Sequence, residues 1–222
     1  MFLPPVHAET DTAVLLQFIR ENPLGLLITG IKSSQNFLQC THVPFVLDTP
    51  EESTELAPKG RLRAHIAKKN PQVTAMIEGL ERKPSVLDIE DSVLVVFNGK
   101  HDHYVTPKYY VETKPDTGKV VPTWNYSAVQ RSVMGYTGGK NPQPWTVSDA
   151  PEKYIEFMQR NIVGIEIRIE EIQGKFKMSQ EMKPGDREGV VAGFAQMGGE
   201  TGEAISRLVR QRGALHDLKT RK

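Results

Sequence analysis

The sequence predicts an α+β protein in which an antiparallel sheet closes into a small barrel, with helices packed against its outside. Three observations predict this fold. About six strand-like segments follow one another, with short polar turns between them. Helical patterns flank this series near both ends of the chain. The 222 residues, of which 38% are hydrophobic and 25% charged, have the composition of one compact domain with appendages.

The first helix is predicted close to the N-terminus, where Asp11 or Thr12 can cap it. Its apolar positions recur at one-face spacing and are Leu15, Leu16 and Ile19. Asn22-Pro23 is expected to end it. LGLLITG (24–30) and FLQCTHVPFVLD (37–48) then predict two strands, separated by the polar KSSQN. Pro44, which has no backbone donor, places the second strand at an edge or marks its end.

A basic strand is predicted next, after an acidic, aperiodic surface loop between residues 48 and 59. Its alternation puts Leu62, Ala64 and Ile66 on one face and Arg61, Arg63 and His65 on the other. Lys68 and Lys69 follow, and Asn70-Pro71 is expected to turn the chain sharply. This basic face predicts an anion site at which a phosphate can dock. A solvated strand face is the alternative, and the spacing does not decide between them.

The middle of the chain combines an apolar strand with polar and aromatic segments. SVLVVFNG (92–99) predicts a strand covered on both faces, followed by a tight turn. His101 and His103 fall on one side if their segment is a strand, but no third ligand completes a metal set, so no metal is predicted. Aromatic residues can stack on a flat ring or form core and dimer contacts. They are Tyr104, Tyr109, Tyr110, Trp124 and Tyr126.

The last third of the chain predicts a helix, a strand and a helical end. Ser148 or Asp149 can cap a helix through Tyr154, Phe157 and Met158. IVGIEIRIEEI (162–172) alternates in polarity and predicts a half-buried antiparallel strand. A turn and KFKMSQ (175–180) follow, and a glycine-interrupted helical segment runs from Asp186 to Arg212.

Composition excludes several classes of function. The net charge of +1 lacks the basic excess that direct DNA binding needs. A single cysteine, Cys40, excludes an intrachain disulfide framework. The sequence shows neither a secretory leader nor an apolar run of about 18 residues, so we expect a cytoplasmic, possibly nuclear, protein that does not span a membrane. The motifs GxSxG, GxxxxGK[ST], GxGxxG and HExxH are absent. No sequence signature therefore supports a common hydrolase, nucleotide triphosphatase, Rossmann or metalloprotease class.

Six blocks occur in order and together resemble one protein family. They are MFLPPVH, THVPF, RLRAHIAKKNPQ, LVVFNGKHDHYVTP, VPTWNYSAVQ and IVGIEIRIEEIQGKFKMSQ. The chain resembles the PaiB-like family of FMN-binding negative transcriptional regulators. The resemblance implies a homodimeric split β-barrel, related to the pyridoxamine-phosphate oxidase-like fold, with FMN at the subunit interface. It also implies an FMN-binding domain at 1–192 and a C-terminal helical extension with a polar tail at 193–222.

The family blocks, together with Arg63 of the basic strand, imply a set of cofactor-binding residues. The set is Arg63, His65, Lys69, Asn70, His101, His103, Tyr104, Thr106, Thr123, Trp124, Asn125, Lys177 and Ser179. Two departures from the family pattern matter. Lys100 replaces a usual proline, and an inserted residue leaves two histidines competing for one position. The segment after Val129 is also too short for a helix that the family usually has there.

Three functions stay open at this stage. The first is a flavin-binding protein that affects transcription indirectly. The second is an enzyme of the same fold, either a flavin oxidoreductase or a heme-dependent cyclase similar to piperazate synthases, which form an N–N bond. In a heme protein His65 would be the axial ligand. The third is a dimer without a cofactor. The sequence assigns no catalytic residue.

Overall fold

The computed structural model describes residues 1–49, 59–81, 93–101, 103–112, 123–129 and 152–220. The predicted loop after Asp48 lies largely outside these residues. So do the helix cap at Ser148 or Asp149 and the short segment after Val129. The chain forms two compact units, which we name by chain position. The terminal unit comprises Met1–Leu15, Asn98–Val129 and Gln173–Lys222, and the central unit comprises Leu16–Phe97 and Gln130–Ile172.

Five antiparallel strands make up the sheet of the central unit, in the order β5-β2-β3-β4-β8. The strands are β2 (Leu24–Gly30), β3 (Leu38–Asp48), β4 (Arg61–Ala67), β5 (Leu94–Asn98) and β8 (Ile162–Arg168). The helices are α2 (Pro71–Glu81) and α3 (Glu152–Asn161), with α1 (Thr12–Glu21) at the chain's entry to the unit. Asp11 caps α1, because its Oδ1 accepts the Ala13 N–H at 2.9 Å. The prediction of the first helix is confirmed.

Alternation on β4 is confirmed, since Leu62 and Ile66 are buried while Arg63 and His65 are exposed. On β5 the predicted coverage of both faces is wrong. Val95 and Phe97 are buried, whereas Leu94 is exposed, so this apolar run has one open face.

The prediction from Pro44 is also wrong, because this residue lies inside β3. It sits where the strand stops pairing with β2 and, from Phe45 on, pairs with β4. A missing N–H is tolerated at the last pair of a ladder.

Helix α2 was not predicted, because Asn70-Pro71 was interpreted as a turn. In the structure Asn70 is the N-cap of α2, and its Oδ1 accepts the Gln72 N–H at 2.9 Å. Pro71 occupies the first helical position, where a missing donor costs nothing. The buried Gln72 then joins α2 to the sheet, since its Nε2 donates to the Leu27 carbonyl at 3.2 Å and to Thr29 Oγ1 at 3.0 Å.

Four antiparallel strands make up the sheet of the terminal unit, in the order β1-β9-β7-β6. The strands are β1 (Ala8–Glu9), β6 (His103–Val105), β7 (Thr123–Val129) and β9 (Gly174–Lys177). The helices are α4 (Pro184–Met197) and α5 (Gly199–Thr220), and 3₁₀ turns lie at Pro5–His7 and Pro107–Tyr109. The predicted glycine interruption is confirmed. The helices separate at Gly198 and Gly199, whose φ angles of 68° and 71° favour glycine.

One face of α4 lacks side chains, because it carries three glycines spaced by four residues, Gly185, Gly189 and Gly193. A Cβ at Gly193 would lie 2.3 Å from the Tyr109 ring, and one at Gly189 would lie 2.1 Å from the Tyr109 carbonyl oxygen. A Cβ at Gly185 would lie 2.7 Å from Glu112 Oε2. The segment Tyr109–Glu112 therefore lies directly on the helix, at a distance that only glycine permits.

A buried ion pair joins β1 to α5. Glu9 and Arg212 form it with side chains only 7% and 10% exposed. Arg212 also lies over the Phe176 ring, with its Cζ 3.5 Å from the ring centroid. Burial alone raises the pKa of Glu9, but the Asp11 N–H and Arg212 outweigh it and hold that pKa below its ordinary value.

The α+β class and the antiparallel pairing are confirmed, while the split barrel is not yet established. Among the described strands, no pairing closes either set into a ring. Residue 192 lies inside α4, and the predicted domain boundary after it stays a prediction. Among the residues that the structure describes, no helix has the length and apolarity needed to cross a bilayer.

Candidate functional site

The predicted site residues fall into two groups, one in each unit. The central unit holds Arg63, His65, Lys69 and Asn70, all on β4 or at the start of α2. The terminal unit holds the other predicted site residues, on β6 or directly beside it, on β7, and around the end of β9.

The two arginines of the basic strand are already paired with acidic residues of the same sheet. Arg63 donates from Nε to Asp48 Oδ2 at 2.6 Å and from Nη2 to Oδ1 at 2.8 Å. Arg61 donates to Asp48 Oδ2 and to Glu166 Oε1, both at 3.1 Å. The hydrogen bond from Arg63 is the main reason that the pKa of Asp48 lies below its usual range, and the same pairing raises the pKa of Arg63. These two cations are therefore compensated within the fold.

Three cationic or basic side chains near the same strand are exposed. His65 lies opposite Gly164 of β8, where a Cβ would meet no atom within 4 Å, so the surface beside this histidine is open. Lys68 and Lys69 are exposed just before α2. Asn70, by contrast, is occupied as the helix cap and also donates from Nδ2 to Thr41 Oγ1 at 3.1 Å. Asn70 thus has a structural role that the sequence did not indicate.

The strand pair β6–β7 brings the histidine and aromatic blocks of the terminal unit together. His103 pairs with Asn125, Tyr104 with Trp124, and Val105 with Thr123. The side chains of Tyr104, Thr123 and Trp124 lie outside the described part of the structure.

The two histidines and Thr106 have different surroundings. The His103 ring packs edge-on against Phe194, with the centroids 5.4 Å apart. His101 Nε2 lies 3.8 Å from Glu200 Oε1, while its Nδ1 is buried without a hydrogen-bond partner. Thr106 closes the 3₁₀ turn, because its carbonyl accepts the Tyr109 N–H at 3.0 Å.

Asn125 and Ser179 are in direct contact inside the terminal unit. Both are fully buried, and Ser179 Oγ donates to Asn125 Oδ1 at 3.1 Å. The Asn125 Nδ2 is buried without a hydrogen-bond partner. Ser179 has a φ of 58°, the only positive φ at a non-glycine residue in the described ranges. A buried amide with an unused donor beside a strained turn is typical of functional sites.

Lysines and aromatic rings share the other face of β9. Lys177 pairs in register with Tyr126, and Lys175 Nζ lies 5.3 Å from the Tyr126 ring centroid. Lys175 also donates to the Phe2 carbonyl at 3.3 Å. Lys177 Nζ lies 3.9 Å from Glu181 Oε1, whose Oε2 lies 3.1 Å from His7 Nε2. This face offers positive charge beside an aromatic ring, which suits a flat ligand with acceptor oxygens.

Sequence reasoning missed two features of the site. They are the acidic partners of the basic strand and the role of Lys175 on the half-buried face of β9. Asp48 ends β3 and pairs in register with Arg61, a relation that only the strand pairing reveals. Lys175 had no place in the predicted site, although the period-2 pattern of KFKMSQ places Lys175 and Lys177 on one face, and Tyr126 was predicted only as one of five rings that could stack on a ligand or form core and dimer contacts. No group of three or more His, Cys, Asp or Glu side chains in the described ranges is placed to hold a metal ion.

Comparison with known proteins places this geometry in context. A family model described as "Putative FMN-binding domain" matches residues 1–136 and 131–171. An uncharacterized protein of Aspergillus fumigatus is 49% identical over 261 aligned positions, covering 99% of this chain and 100% of that protein. An uncharacterized protein of Emericella nidulans is 47% identical over 251 positions, with 99% and 100% coverage.

More distant proteins are also similar. The protease synthase and sporulation protein PAI 2 of Bacillus subtilis is 25% identical over 210 positions, covering 86% of this chain and 87% of that protein. A solved structure, the conserved hypothetical protein Rv2991 of Mycobacterium tuberculosis, covers 79% of this chain and 90% of its own, at 12% identity and a TM-score of 0.34. The two family-model matches overlap at residues 131–136. These residues belong to the segment after Val129, which the sequence indicates is shorter than in the family.

Proposed function

The chain belongs to the FMN-binding domain family whose model it matches, and from this premise we propose that it is a homodimeric, FMN-binding split-barrel protein. The resemblance to PaiB-like proteins is confirmed by the family match and by the similarity to PAI 2 of Bacillus subtilis. Like PaiB-type regulators, it would act on transcription indirectly, because a net charge of +1 gives little affinity for duplex DNA. The observation that supports FMN most is the family match over most of the chain.

The chemistry of the described residues fits FMN. A phosphate needs hydrogen-bond donors that are not already engaged, and the central unit has His65 exposed on β4 and Lys68 and Lys69 exposed just before α2. The terminal unit, taken by itself, has a face with Tyr126, Lys175 and Lys177 that combines an aromatic ring with hydrogen-bond donors and suits a flavin ring. FMN when bound supplies redox chemistry. The residues named here would bind and orient it.

We propose that the cofactor contacts are those that the family blocks imply, with a smaller role for Arg63. Lys69 and His65 would face the phosphate, while Arg63 is held by Asp48 and would contribute less. Asn70, Asn125 and Ser179 would act through the backbone that they fix. His101, His103, Tyr104, Thr106, Thr123 and Trp124 stay in the proposed set on the family resemblance. The family match names FMN, and no feature of the described residues favours heme.

The dimer is supported by an exposed apolar sheet face in the central unit. Leu24, Leu38 and Leu94 are 56%, 71% and 45% exposed. Register aligns Leu94 with Ile28, and Ile28 with Cys40, so these residues share one face of β5, β2 and β3. A second copy of the chain would cover this face, because monomers rarely leave such a patch in water. Leu38→Asp should then shift the protein to monomer in sedimentation at micromolar concentration, whereas a monomeric wild type would contradict the proposal.

The test of FMN binding is a titration of flavin-free protein with FMN and, in parallel, with riboflavin. FMN should bind with flavin fluorescence quenched, and riboflavin, which lacks the phosphate, should bind at least tenfold more weakly, since each charged hydrogen bond contributes about 1.5–3 kcal/mol. Equal affinities would remove the phosphate site from the proposal. No binding of either flavin at millimolar concentration would remove FMN altogether.

A further inference from the structure

The turn that follows β9 fixes the backbone around Lys177. Gln180 reaches back across the turn, where its Oε1 accepts the Met178 N–H at 2.6 Å and its Nε2 donates to the Phe176 carbonyl. These are the peptide groups on the two sides of Lys177. One side chain therefore holds the strand end on both flanks of this lysine.

Burial makes this clamp rigid. Phe176 and Met178 are buried, Gln180 is 4% exposed, and Lys177 points to the other face of β9. Since both hydrogen bonds of Gln180 lie away from water, breaking one leaves a buried polar group without a partner.

Ser179 closes the turn in a conformation that a non-glycine residue rarely adopts. Its φ is 58°, its side chain is fully buried, and its hydroxyl donates to Asn125 Oδ1 at 3.1 Å. Its carbonyl accepts the Met182 N–H at 3.0 Å, which turns the chain so that Glu181 comes back beside Lys177. A strained residue persists only where its surroundings hold it, and here the holding residue is Asn125 of β7.

We propose that Asn125, Ser179 and Gln180 are positioning residues, and that they hold Lys177 where its ammonium donates to an acceptor oxygen of the flavin ring. This inference rests on the proposed binding of FMN and deepens it. In this inference Lys177 contacts the ligand. Asn125, Ser179 and Gln180 act only through the position that they give to Lys177. Lys177 pairs in register with Tyr126 on the face of β9 where Lys175 Nζ lies 5.3 Å from the Tyr126 ring centroid, so this face combines cations with an aromatic ring.

The test is a double-mutant cycle on flavin affinity with Lys177→Ala and Gln180→Ala. Lys177→Ala should weaken FMN and riboflavin alike, each about tenfold, because the contact is with the ring and not with the phosphate. Gln180→Ala should weaken both severalfold in the wild-type background and should cause no further loss in the Lys177→Ala background.

Two controls isolate positioning from general stability. Ser206→Ala removes another buried hydroxyl, which donates to the Val191 carbonyl at 2.9 Å, and should lower stability without changing flavin affinity. Lys183→Ala removes a cation of the same unit that the proposed site does not use, since its Nζ lies 3.9 Å from Glu112 Oε1, and should leave affinity within twofold.

A second pair of variants keeps the test valid if Gln180→Ala does not fold. Ser179→Gly removes the side chain but lets the left-handed backbone form without strain, whereas Ser179→Ala removes only the hydroxyl and keeps the strained Cβ without the hydrogen bond that holds it. Ser179→Gly should therefore bind flavin more tightly than Ser179→Ala. If wild type binds FMN but Lys177→Ala binds it equally well, or if the loss from Gln180→Ala is the same in both backgrounds, the inference is overturned while the proposed function stands. A wild type that binds no flavin instead removes the proposed function itself.

Discussion

The charged residues of the two units contrast in how they are solvated. In the terminal unit, Glu9 and Arg212 form an ion pair sealed from water, and Asn125 and Ser179 share a buried hydrogen bond. In the central unit, Arg61 and Arg63 meet Asp48 at the surface, with 26%, 52% and 13% of their side chains exposed. The contrast teaches that the energetic weight of a charged pair depends on its burial, so the buried pair of the terminal unit should matter more than the partly exposed pairs of the central unit.

The largest effect is expected from breaking the buried pair. Glu9→Gln leaves Arg212 charged and without its counterion in the interior, which costs about 3–5 kcal/mol of unfolding free energy. Glu166→Gln is the matched control, since Glu166 pairs with Arg61 at the surface and is 51% exposed. That change should cost at most about 1 kcal/mol. The free energies of unfolding of both variants in urea test this prediction. Equal losses of unfolding free energy in the two variants would contradict it.

A glycine exchange on α4 of the terminal unit should have the next largest effect. Gly189→Ala drives a Cβ to 2.1 Å from the Tyr109 carbonyl oxygen, and backbone cannot move aside easily. We expect a loss of about 1–3 kcal/mol. Gly164→Ala in β8 meets nothing within 4 Å and should change stability by less than about 0.5 kcal/mol. Thermal unfolding compares the two, and a tolerated Gly189→Ala would show that the segment Tyr109–Glu112 does not lie against α4.

A smaller, pH-dependent effect is expected from Asp48. Its folded pKa is lowered mainly by the hydrogen bond from Arg63, so its contribution is present above the ordinary carboxyl pKa and is lost as pH falls through the lowered value. Asp48→Asn should destabilise by about 1 kcal/mol or less at neutral pH, because the pair is partly exposed. Unfolding of wild type and variant should converge in acid. A difference that grows as pH falls would reverse the sign and contradict the assignment.

Much of the fold follows from local patterns, whereas the site depends on pairing that local patterns do not contain. Alternation located β4 and β8, and Asp11 located the start of α1. The Asn70-Pro71 pair was interpreted as a turn because the same two residues serve turns and helix starts equally well. Asp48 reaches Arg63 across strands 15 residues apart in sequence, and Asn125 reaches Ser179 across 54. No periodicity within one segment can report such contacts.

The most direct measurement is the FMN affinity of Lys69→Ala set against that of Arg63→Ala, in protein whose folding has been verified for both variants. Lys69 is exposed before α2, while Arg63 is held by two hydrogen bonds to Asp48. If the exposed Lys69 contacts the phosphate while Arg63 is held by Asp48, Lys69→Ala should weaken FMN by about 10–100-fold and leave riboflavin unchanged. Arg63→Ala should change FMN affinity by less than about threefold. A large loss in Arg63→Ala together with unaltered binding in Lys69→Ala would contradict the account.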